Sequence, residues 1–141
     1  MIRDAPLTAF GKEQAADLNK LTYETIQQTA DLLVSSPLTR TLQTTLSGFP
    51  KLKARLEASG KPLIVLSRLQ ETGDSPCDRG SSRADLENVA EFEGIDFSSL
   101  EDDWNEKQGD FDPINVAARA QWIRKWLRAR PESNIVGESF H

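Results

Sequence analysis

The chain has 141 residues, of which 38% are hydrophobic and 28% are charged, and its formal net charge is −5. This size and composition are typical of one globular domain with a sizeable core, and they exclude wholesale disorder. The sequence holds one cysteine and one histidine, which exclude an internal disulfide, a Cys/His zinc cluster and a mechanism that uses two histidines of this chain.

The charge and the N-terminal residues also limit the expected partners and compartment. A negative net charge disfavours nucleic acid or an anionic membrane as the main partner. No apolar stretch approaches the roughly 18 residues of a membrane span, and residues 1–6 lack the apolar segment of a secretory signal. We therefore expect a cytoplasmic protein, in a reducing compartment, with no nucleic-acid and no membrane partner.

The first half of the chain predicts helices alternating with strands. Thr8 is a suitable N-cap for a helix that continues to about Ala30. The inward-facing stripe of that helix is predicted as Ala15, Leu18 and Ile26. The short apolar run 32–34 is typical of a buried strand, and a second helix is predicted to start near Pro37 and to be ended by Gly48 and Pro50. Residues 62–66 form the clearest strand signal in the sequence.

The second half opens with a long loop over 71–81, after which Ser82 is predicted to cap a short helix. Residues 95–112 are an acidic excursion with few periodic apolar positions. We expect a solvated face formed by its acidic side chains, Asp96, Glu101, Asp102, Asp103 and Glu106. A strong helix is predicted to begin after Asp112, its N-cap, and a third strand near 134–136. The buried face of that helix is predicted as Val116, Ala120, Ile123 and Leu127.

This alternation predicts an α/β fold, a three-layer sandwich with a small and mostly parallel sheet. Ligands of open α/β sheets bind outside the carboxyl ends of the strands. Arg40 follows the first predicted strand, Arg68 and Glu71 follow the second, and Glu138 and His141 follow the third. We therefore expect a guanidinium, a carboxyl and an imidazole to converge on one edge of the sheet.

Each of these residues has an ordinary interpretation beside the functional one. Arg40, near a helix N-terminus, is suited to grip a phosphate, but spacing alone favours an exposed helix arginine in a surface ion pair. Glu71 could act as a general acid, but composition alone favours a solvated loop carboxylate. Cys77 has no histidine or lysine near it in sequence, so we interpret it as a packed loop residue.

Two charged stretches are interpreted as surfaces. The acidic run near 96–106 lacks the spacing and the glycine of a calcium loop, so no metal site is predicted. The last helix carries Arg119, Arg124 and further basic residues beside Trp122 and Trp126. We interpret this combination as an ordinary amphipathic helix that faces the acidic excursion, because the chain as a whole is negative.

Four segments, in the right order, resemble one family. Residues 35–44, SSPLTRTLQT, resemble the SPLxRxxQT element of the histidine phosphatase superfamily, the phosphoglycerate mutase-like proteins. Residues 4–14 resemble the D-x-PLTxxGxxQA element that opens the first helix of that family. Residues 69–81 resemble the L-x-E and CDTGS region of fungal-type members, and 134–136 resemble the strand that leads to the second catalytic histidine.

The resemblance implies a fold of the phosphoglycerate mutase-like type and a role for four residues. Arg40 matches the arginine that binds the transferred phosphoryl group, and Glu71 matches the glutamate that protonates the leaving group. Asp78 and Ser81 match a loop near the substrate. The implied chemistry is phosphoryl transfer from a phosphorylated small molecule to a histidine and then to water, with no cofactor and no metal.

The sequence also departs from the family pattern at both ends. The nucleophilic histidine of the family lies in an RHG motif that should precede Arg3, and His141 lies about one residue beyond the expected place of the second catalytic histidine. We therefore expect residues 1–141 to form a single domain that is incomplete at both ends and lacks its first strand. Unpaired strand edges would then favour a homo-oligomer.

Three functional hypotheses remain at this point. The first is a truncated or degenerate phosphomonoester phosphatase that acts through a phosphohistidine in its intact relatives and has little activity itself. The alternative is a non-catalytic module that binds a phosphorylated ligand or a protein. The third is an incomplete gene model of an active phosphatase.

Overall fold

The structure, a computed structural model, describes residues 2–139 and alternates helices with three short strands. The elements in these residues, in chain order, are α1 (Ala9–Thr22), α2 (Ile26–Thr29), β1 (Leu32–Ser35), α3 (Thr39–Gly48), α4 (Pro50–Ala58), β2 (Ile64–Val65), α5 (Arg83–Glu87), α6 (Val116–Ala129) and β3 (Ile135–Glu138). Short 3₁₀ turns occupy much of the long connection between β2 and α6. Within residues 2–139, no helix is long and apolar enough to span a bilayer.

The three strands form one parallel sheet in the order β2-β1-β3. In the register, Val34 of β1 lies opposite Ile64 of β2, and Leu32 lies opposite Ile135 of β3. The α/β class with a small parallel sheet is therefore confirmed. Because β1 pairs directly with β3 over four residues, the sheet is continuous in the described part of the chain.

The central position of β1 follows from its sequence. Leu32, Leu33 and Val34 are an uninterrupted apolar run, as expected for a strand covered on both faces, and each is at most 2% exposed. Helices α3 and α4 pack against this strand. The core residues they contribute include Leu42, Leu52 and Leu56, and Leu38, directly before α3, joins the same core.

The predicted first helix begins where expected but ends early. The Thr8 hydroxyl accepts a hydrogen bond from Gly11 N at 3.0 Å, which confirms the N-cap. The continuous helix to Ala30 is wrong, because α1 ends at Thr22 and the chain turns before α2. Ile26, predicted to face inward, is 45% exposed, and the neighbouring Gln27 is buried instead.

Gln27 accounts for this break. Its Nε2 donates to Thr22 Oγ1 at 3.1 Å and to Gly48 O at 3.2 Å, while its Oε1 accepts from Lys51 N and Leu52 N at 3.0 and 3.1 Å. One buried amide thus joins the end of α1, the end of α3 and the start of α4. Because its hydrogen bonds are satisfied, the buried amide fixes these three chain segments relative to one another. Hydrophobic periodicity does not predict such a contact.

The predicted solvated face of the acidic run is observed, but the segment 95–112 also contributes to the core. The exposed acidic residues are Asp96, Glu101, Asp102, Asp103 and Glu106. Phe97, Leu100, Trp104 and Phe111 of this segment are each at most 7% exposed and belong to the main core. The segment is built of turns and a 3₁₀ helix, so its inward residues follow neither a helical nor a strand period.

The last helix also differs from its predicted packing. Asp112 Oδ1 accepts from Ile114 N at 2.9 Å, which confirms the predicted cap at the 3₁₀ turn that leads into α6. Leu127 is 38% exposed rather than buried, whereas Arg119 is only 5% exposed. As predicted, α6 faces the acidic excursion, because it contacts the 3₁₀ turn Gly109–Phe111, but Arg119 is buried rather than on the polar face of the helix. The Ser82 cap of α5 is confirmed, with Ser82 Oγ accepting from Asp85 N at 3.2 Å.

Candidate active site

The carboxyl ends of the parallel strands bring together the residues that sequence analysis placed there. Arg40 lies in the first turn of α3, directly after β1. Glu71 follows β2 through the 3₁₀ turn Ser67–Leu69, and Glu138 is the last residue of β3. The predicted convergence of a guanidinium and carboxyl groups is observed. His141 lies outside the described residues.

Arg40 is held between two carboxylates rather than exposed on a helix surface. Its Nη2 lies 3.7 Å from Glu71 Oε2 and 3.4 Å from Asp78 Oδ1, and its Nη1 donates to Cys77 O at 2.5 Å. The three charged side chains are only 13% to 18% exposed. The surface interpretations of Arg40 and Glu71 are therefore wrong, because both side chains belong to one sheltered cluster.

The N-terminus of α3 is occupied by a carboxylate from the start of the chain. Asp4 Oδ1 accepts from Thr39 N at 2.8 Å, and its Oδ2 accepts from Thr39 Oγ1 at 2.7 Å. A negative charge at a helix N-terminus is favourable, and Asp4 supplies it here. The amide of Thr39 is therefore already paired and is not free to receive an anionic ligand.

The same carboxylate fixes the loop that carries Asp78. Asp4 Oδ2 also accepts from Ser81 Oγ at 2.6 Å and from Ser81 N at 3.0 Å, and Asp4 N donates to Pro76 O at 3.3 Å. Ser81, expected near the substrate, is thus a partner of Asp4 in the described structure. Asp4 has φ +47°, a left-handed conformation that is uncommon for residues other than glycine. Sequence analysis assigned no role to Asp4, although it quoted this residue in the opening motif.

Gly80 lets this loop lie flat against the core. A Cβ at position 80 would lie 1.9 Å from Trp104 Cη2, so no larger residue fits without displacing a fully buried ring. The carbonyl of Gly80 accepts from Arg3 Nε at 3.2 Å and from Asn105 Nδ2 at 3.1 Å. The loop is thereby fixed on both sides, which holds Asp78 beside Arg40.

Two further cations lie behind Glu71, and neither was singled out as functional from the sequence. Lys107 Nζ donates to Gln70 Oε1 at 3.0 Å and to Glu71 O at 2.7 Å. Burial, together with the nearby Arg119, lowers the pKa of Lys107 from 10.5 to about 8. Burial also lowers the pKa of Arg119, against the attraction of Glu71. Both residues lie in segments that pack on the core, and no local pattern in the sequence indicates that packing.

A cleft of about 620 Å³ opens beside Arg40. Thr44 and Glu138 border it together with Arg40 on one side, and α1 forms the other side. The lining residues from α1 and its approach are Pro6, Leu7, Thr8, Gly11, Gln14, Ala15 and Leu18. The cleft therefore joins a largely apolar wall to a guanidinium, a combination suited to a small anionic ligand with an organic body.

The site has few other groups with metal-binding or nucleophilic chemistry. In residues 2–139, no group of three or more His, Cys, Asp and Glu side chains is arranged to hold a metal ion. Cys77 is half-buried, and its Sγ lies 3.8 Å from Asp78 Oδ1. Its carbonyl, not its thiol, contacts Arg40, in keeping with its interpretation as a packed loop residue.

Comparisons with known proteins give the same family for nearly the whole chain. A family model described as Histidine phosphatase superfamily (branch 1) matches residues 2–139. A phosphoglycerate mutase-like protein of Arabidopsis thaliana is 31% identical over 159 residues, which cover 94% of this chain and 58% of that relative. Phosphoglycerate mutase-like protein 1 of the same plant is 29% identical over 158 residues, with 94% and 55% covered. The chain thus spans little more than half of each relative. No solved structure matches it.

Proposed function

Because the chain belongs to the histidine phosphatase superfamily, we propose that its Arg40 site binds the phosphoryl group of a phosphomonoester, which the family hydrolyses through a phosphohistidine. One observation carries this proposal: Arg40, Glu71 and Asp78 form a single sheltered cluster at the carboxyl ends of the strands. The Cys77–Ser81 segment further supports placing the chain among the fungal-type members of the family. The substrate class is a small phosphorylated molecule.

The geometry suggests separate roles for the two carboxyl groups beside Arg40. Arg40 offers two guanidinium nitrogens to a phosphoryl group, a bidentate arrangement that favours oxyanions. The Glu71 carboxyl, 3.7 Å from that guanidinium, is placed to give its proton to the leaving oxygen as the P–O bond breaks. Asp78 holds Arg40 until the phosphate takes its place.

The phosphoryl group must then pass to a histidine nitrogen and from there to water, with Glu71 regaining its proton from that water. The 141 residues include one histidine, His141, whereas the family mechanism uses two. We therefore propose that the 141-residue polypeptide by itself binds phosphomonoesters but turns them over slowly, with His141 as its candidate second catalytic histidine.

Calorimetric titration of the purified chain with p-nitrophenyl phosphate tests the binding step, while release of p-nitrophenolate reports turnover. Arg40→Gln should weaken binding about tenfold or more, because a charge-assisted hydrogen bond is lost. Arg124→Gln, an exposed arginine on α6, is the matched control and should bind like the wild type. Unchanged binding in Arg40→Gln would overturn the proposal, and rapid turnover abolished by Arg40→Ala would overturn the expectation of low activity.

The second candidate is a non-catalytic module that uses the same cleft to hold a phosphorylated ligand or a protein. The cleft of about 620 Å³ beside Arg40 favours it, since it accommodates a ligand body whether or not chemistry follows. Glu71→Gln separates the two functions in the longest form of the protein that can be expressed. Loss of turnover with retained binding supports the enzyme, and absence of turnover in the unmutated protein supports the module.

Self-association is a further part of the proposal. In residues 2–139, β2 and β3 each have one neighbouring strand, so each presents an open edge. Open edges are templates for pairing with a second chain. Sedimentation equilibrium should show a concentration-dependent homo-oligomer, and a monomer at all concentrations would exclude it.

A further inference from the structure

Two buried cations near the candidate active site have no ion-pair partner in the described chain. Arg119 is 5% exposed and Lys107 is 7% exposed. Among residues 2–139, neither lies within 4.0 Å of a carboxylate oxygen, and Arg119 Nη1 has no hydrogen-bond acceptor. Glu71 attracts both cations, and Asp78 and Asp74 also attract Lys107. Each of these carboxylates already lies beside another arginine: Glu71 and Asp78 lie within 3.7 Å of Arg40, and Asp74 lies 2.7 Å from Arg79. The region therefore holds more positive than negative charge.

Two buried cations without a nearby counter-ion destabilise the folded protein. A buried cation loses the solvation of water, and only a counter-ion or hydrogen-bond acceptors restore it. Lys107 has two neutral acceptors, but Arg119 Nη1 has none in the described residues. Repulsion between the two cations adds to the cost. A bound anion would supply both the missing charge and the missing acceptor.

Arg119 borders a groove that leads to the surface. The groove has a volume of about 260 Å³ and is lined by Arg68, Asp110, Asn115, Ala118, Arg119 and Trp122. The Arg68 guanidinium lies 4.2 Å from the centre of the Trp122 ring, a cation–π contact that keeps the side chain along the groove wall. The groove is thus lined by two arginines, of which Arg68 is partly exposed and Arg119 is buried.

Asp110, the only carboxylate among the described residues that line this groove, is weakly held. Asp110 Oδ2 lies 3.2 Å from Arg68 Nη2, but the Asp110 side chain is 75% exposed. Exposed ion pairs contribute little, because water screens them and both side chains lose freedom. An incoming anion can therefore replace Asp110 on Arg68 at small cost and reach Arg119 at the same time.

We propose that this groove, the Arg68–Arg119 groove, is an anion site separate from the Arg40 cluster. Its ligand is a small oxyanion, a phosphate or carboxylate group, bound between the two guanidinium groups. Each guanidinium group can donate two parallel N–H bonds, which match the oxygens of a planar carboxylate or a tetrahedral phosphate. The volume admits a free ion or a compact anionic metabolite. The inference does not depend on the proposed hydrolysis.

The ring of Trp122 gives a local signal for this site, because it lines the groove and contacts Arg68. The full chain, labelled with nitrogen-15, is titrated with inorganic phosphate and separately with acetate at constant ionic strength. The indole N–H resonance of Trp122, assigned with Trp122→Phe, should shift and saturate. Saturation by phosphate alone identifies a phosphate site, and saturation by acetate also identifies a general oxyanion site. No saturable shift with either anion would overturn the proposal.

Three variants locate the ligand. Arg68→Gln should weaken the response about tenfold or more, since one charge-assisted contact is lost, and Arg119→Met should abolish it. Arg124→Gln, on the exposed face of the same helix, is the control and should respond like the wild type. If Arg119→Met does not fold, Arg68→Gln decides alone, because Arg68 is partly exposed. A full response in Arg68→Gln would overturn the proposal.

Arg40→Gln distinguishes this site from the proposed active site. It should leave the Trp122 response intact while it weakens p-nitrophenyl phosphate binding. Loss of the Trp122 response in Arg40→Gln would mean that one site serves both signals and that the groove is not separate. Loss of the Trp122 response in Arg68→Gln, with substrate binding unaffected by Arg40→Gln, would support the groove and refute the proposed function.

Discussion

Arg40 and Arg119 both place a guanidinium group in a sheltered part of the protein, but only the Arg40 group lies beside carboxylates. Arg40 has two carboxylates within 3.7 Å and a carbonyl acceptor. Arg119 is more deeply buried, and its Nη1 has no acceptor among residues 2–139. The comparison teaches that burial alone does not decide what a cation does. Arg40 is part of a compensated cluster, whereas Arg119 and Lys107 form an uncompensated one.

The origin of the difference lies in the elements that deliver the acidic groups. The loop after β2 carries Glu71 and Asp78, and Asp4 and Gly80 fix that loop against Arg40. The segment that carries Lys107 sends aromatic side chains inward and leaves most of its acids in solvent. The loop after β2 therefore surrounds the Arg40 charge with carboxylates. The segment of Lys107 instead packs apolar side chains, and two cations are enclosed beside them.

The largest expected effect comes from removing the compensated cation. Arg40→Met should lower the free energy of unfolding by about 3 kcal/mol, because Glu71 and Asp78 are left close together with no cation between them. Urea denaturation at neutral pH measures this loss. Arg124→Gln should stay within about 0.5 kcal/mol of the wild type, as surface changes do. An equally small effect of Arg40→Met would show that the cluster is not a structural unit.

The pH dependence of stability examines Lys107 in the uncompensated region. Its pKa is about 8 in the folded chain and 10.5 as the ordinary value, so between these values the unfolded chain binds more protons. Stability should therefore rise with pH in this window, relative to Lys107→Met, by up to about 1.4 kcal/mol per pH unit. Denaturation of both proteins from pH 7 to 10 measures the difference. A constant difference across the window would contradict the lowered pKa.

The smallest effect, and the one of opposite sign, is expected at Arg119. Arg119→Met replaces an uncompensated buried charge with an apolar side chain of similar length, which is often neutral or stabilising. In buffer without phosphate or carboxylates, the free energy of unfolding should rise by about 1 kcal/mol. A loss as large as that of Arg40→Met would mean that Arg119 is compensated in solution, and the contrast between the two arginines would then fail.

Local signals in the sequence predicted a large part of the fold. The caps at Thr8, Ser82 and Asp112 are hydrogen bonds between neighbours along the chain, so residue type and spacing suffice to find them. The apolar run of β1 likewise predicts a buried strand. The errors concern long-range packing: Gln27 breaks the first helix through partners up to 25 residues away, and Trp104 lies in a segment with no period.

By itself, the sequence determined the α/β order of elements, the parallel sheet and the convergence of Arg40 with Glu71, because strand ends and the residues after them are adjacent in the chain. Only the tertiary structure decided which charges are compensated. Asp4 reaches Ser81 across 77 residues, and Lys107 reaches Glu71 across 36. Electrostatic compensation depends on distances in space and on burial, and both are set by packing of the whole core rather than by any local pattern.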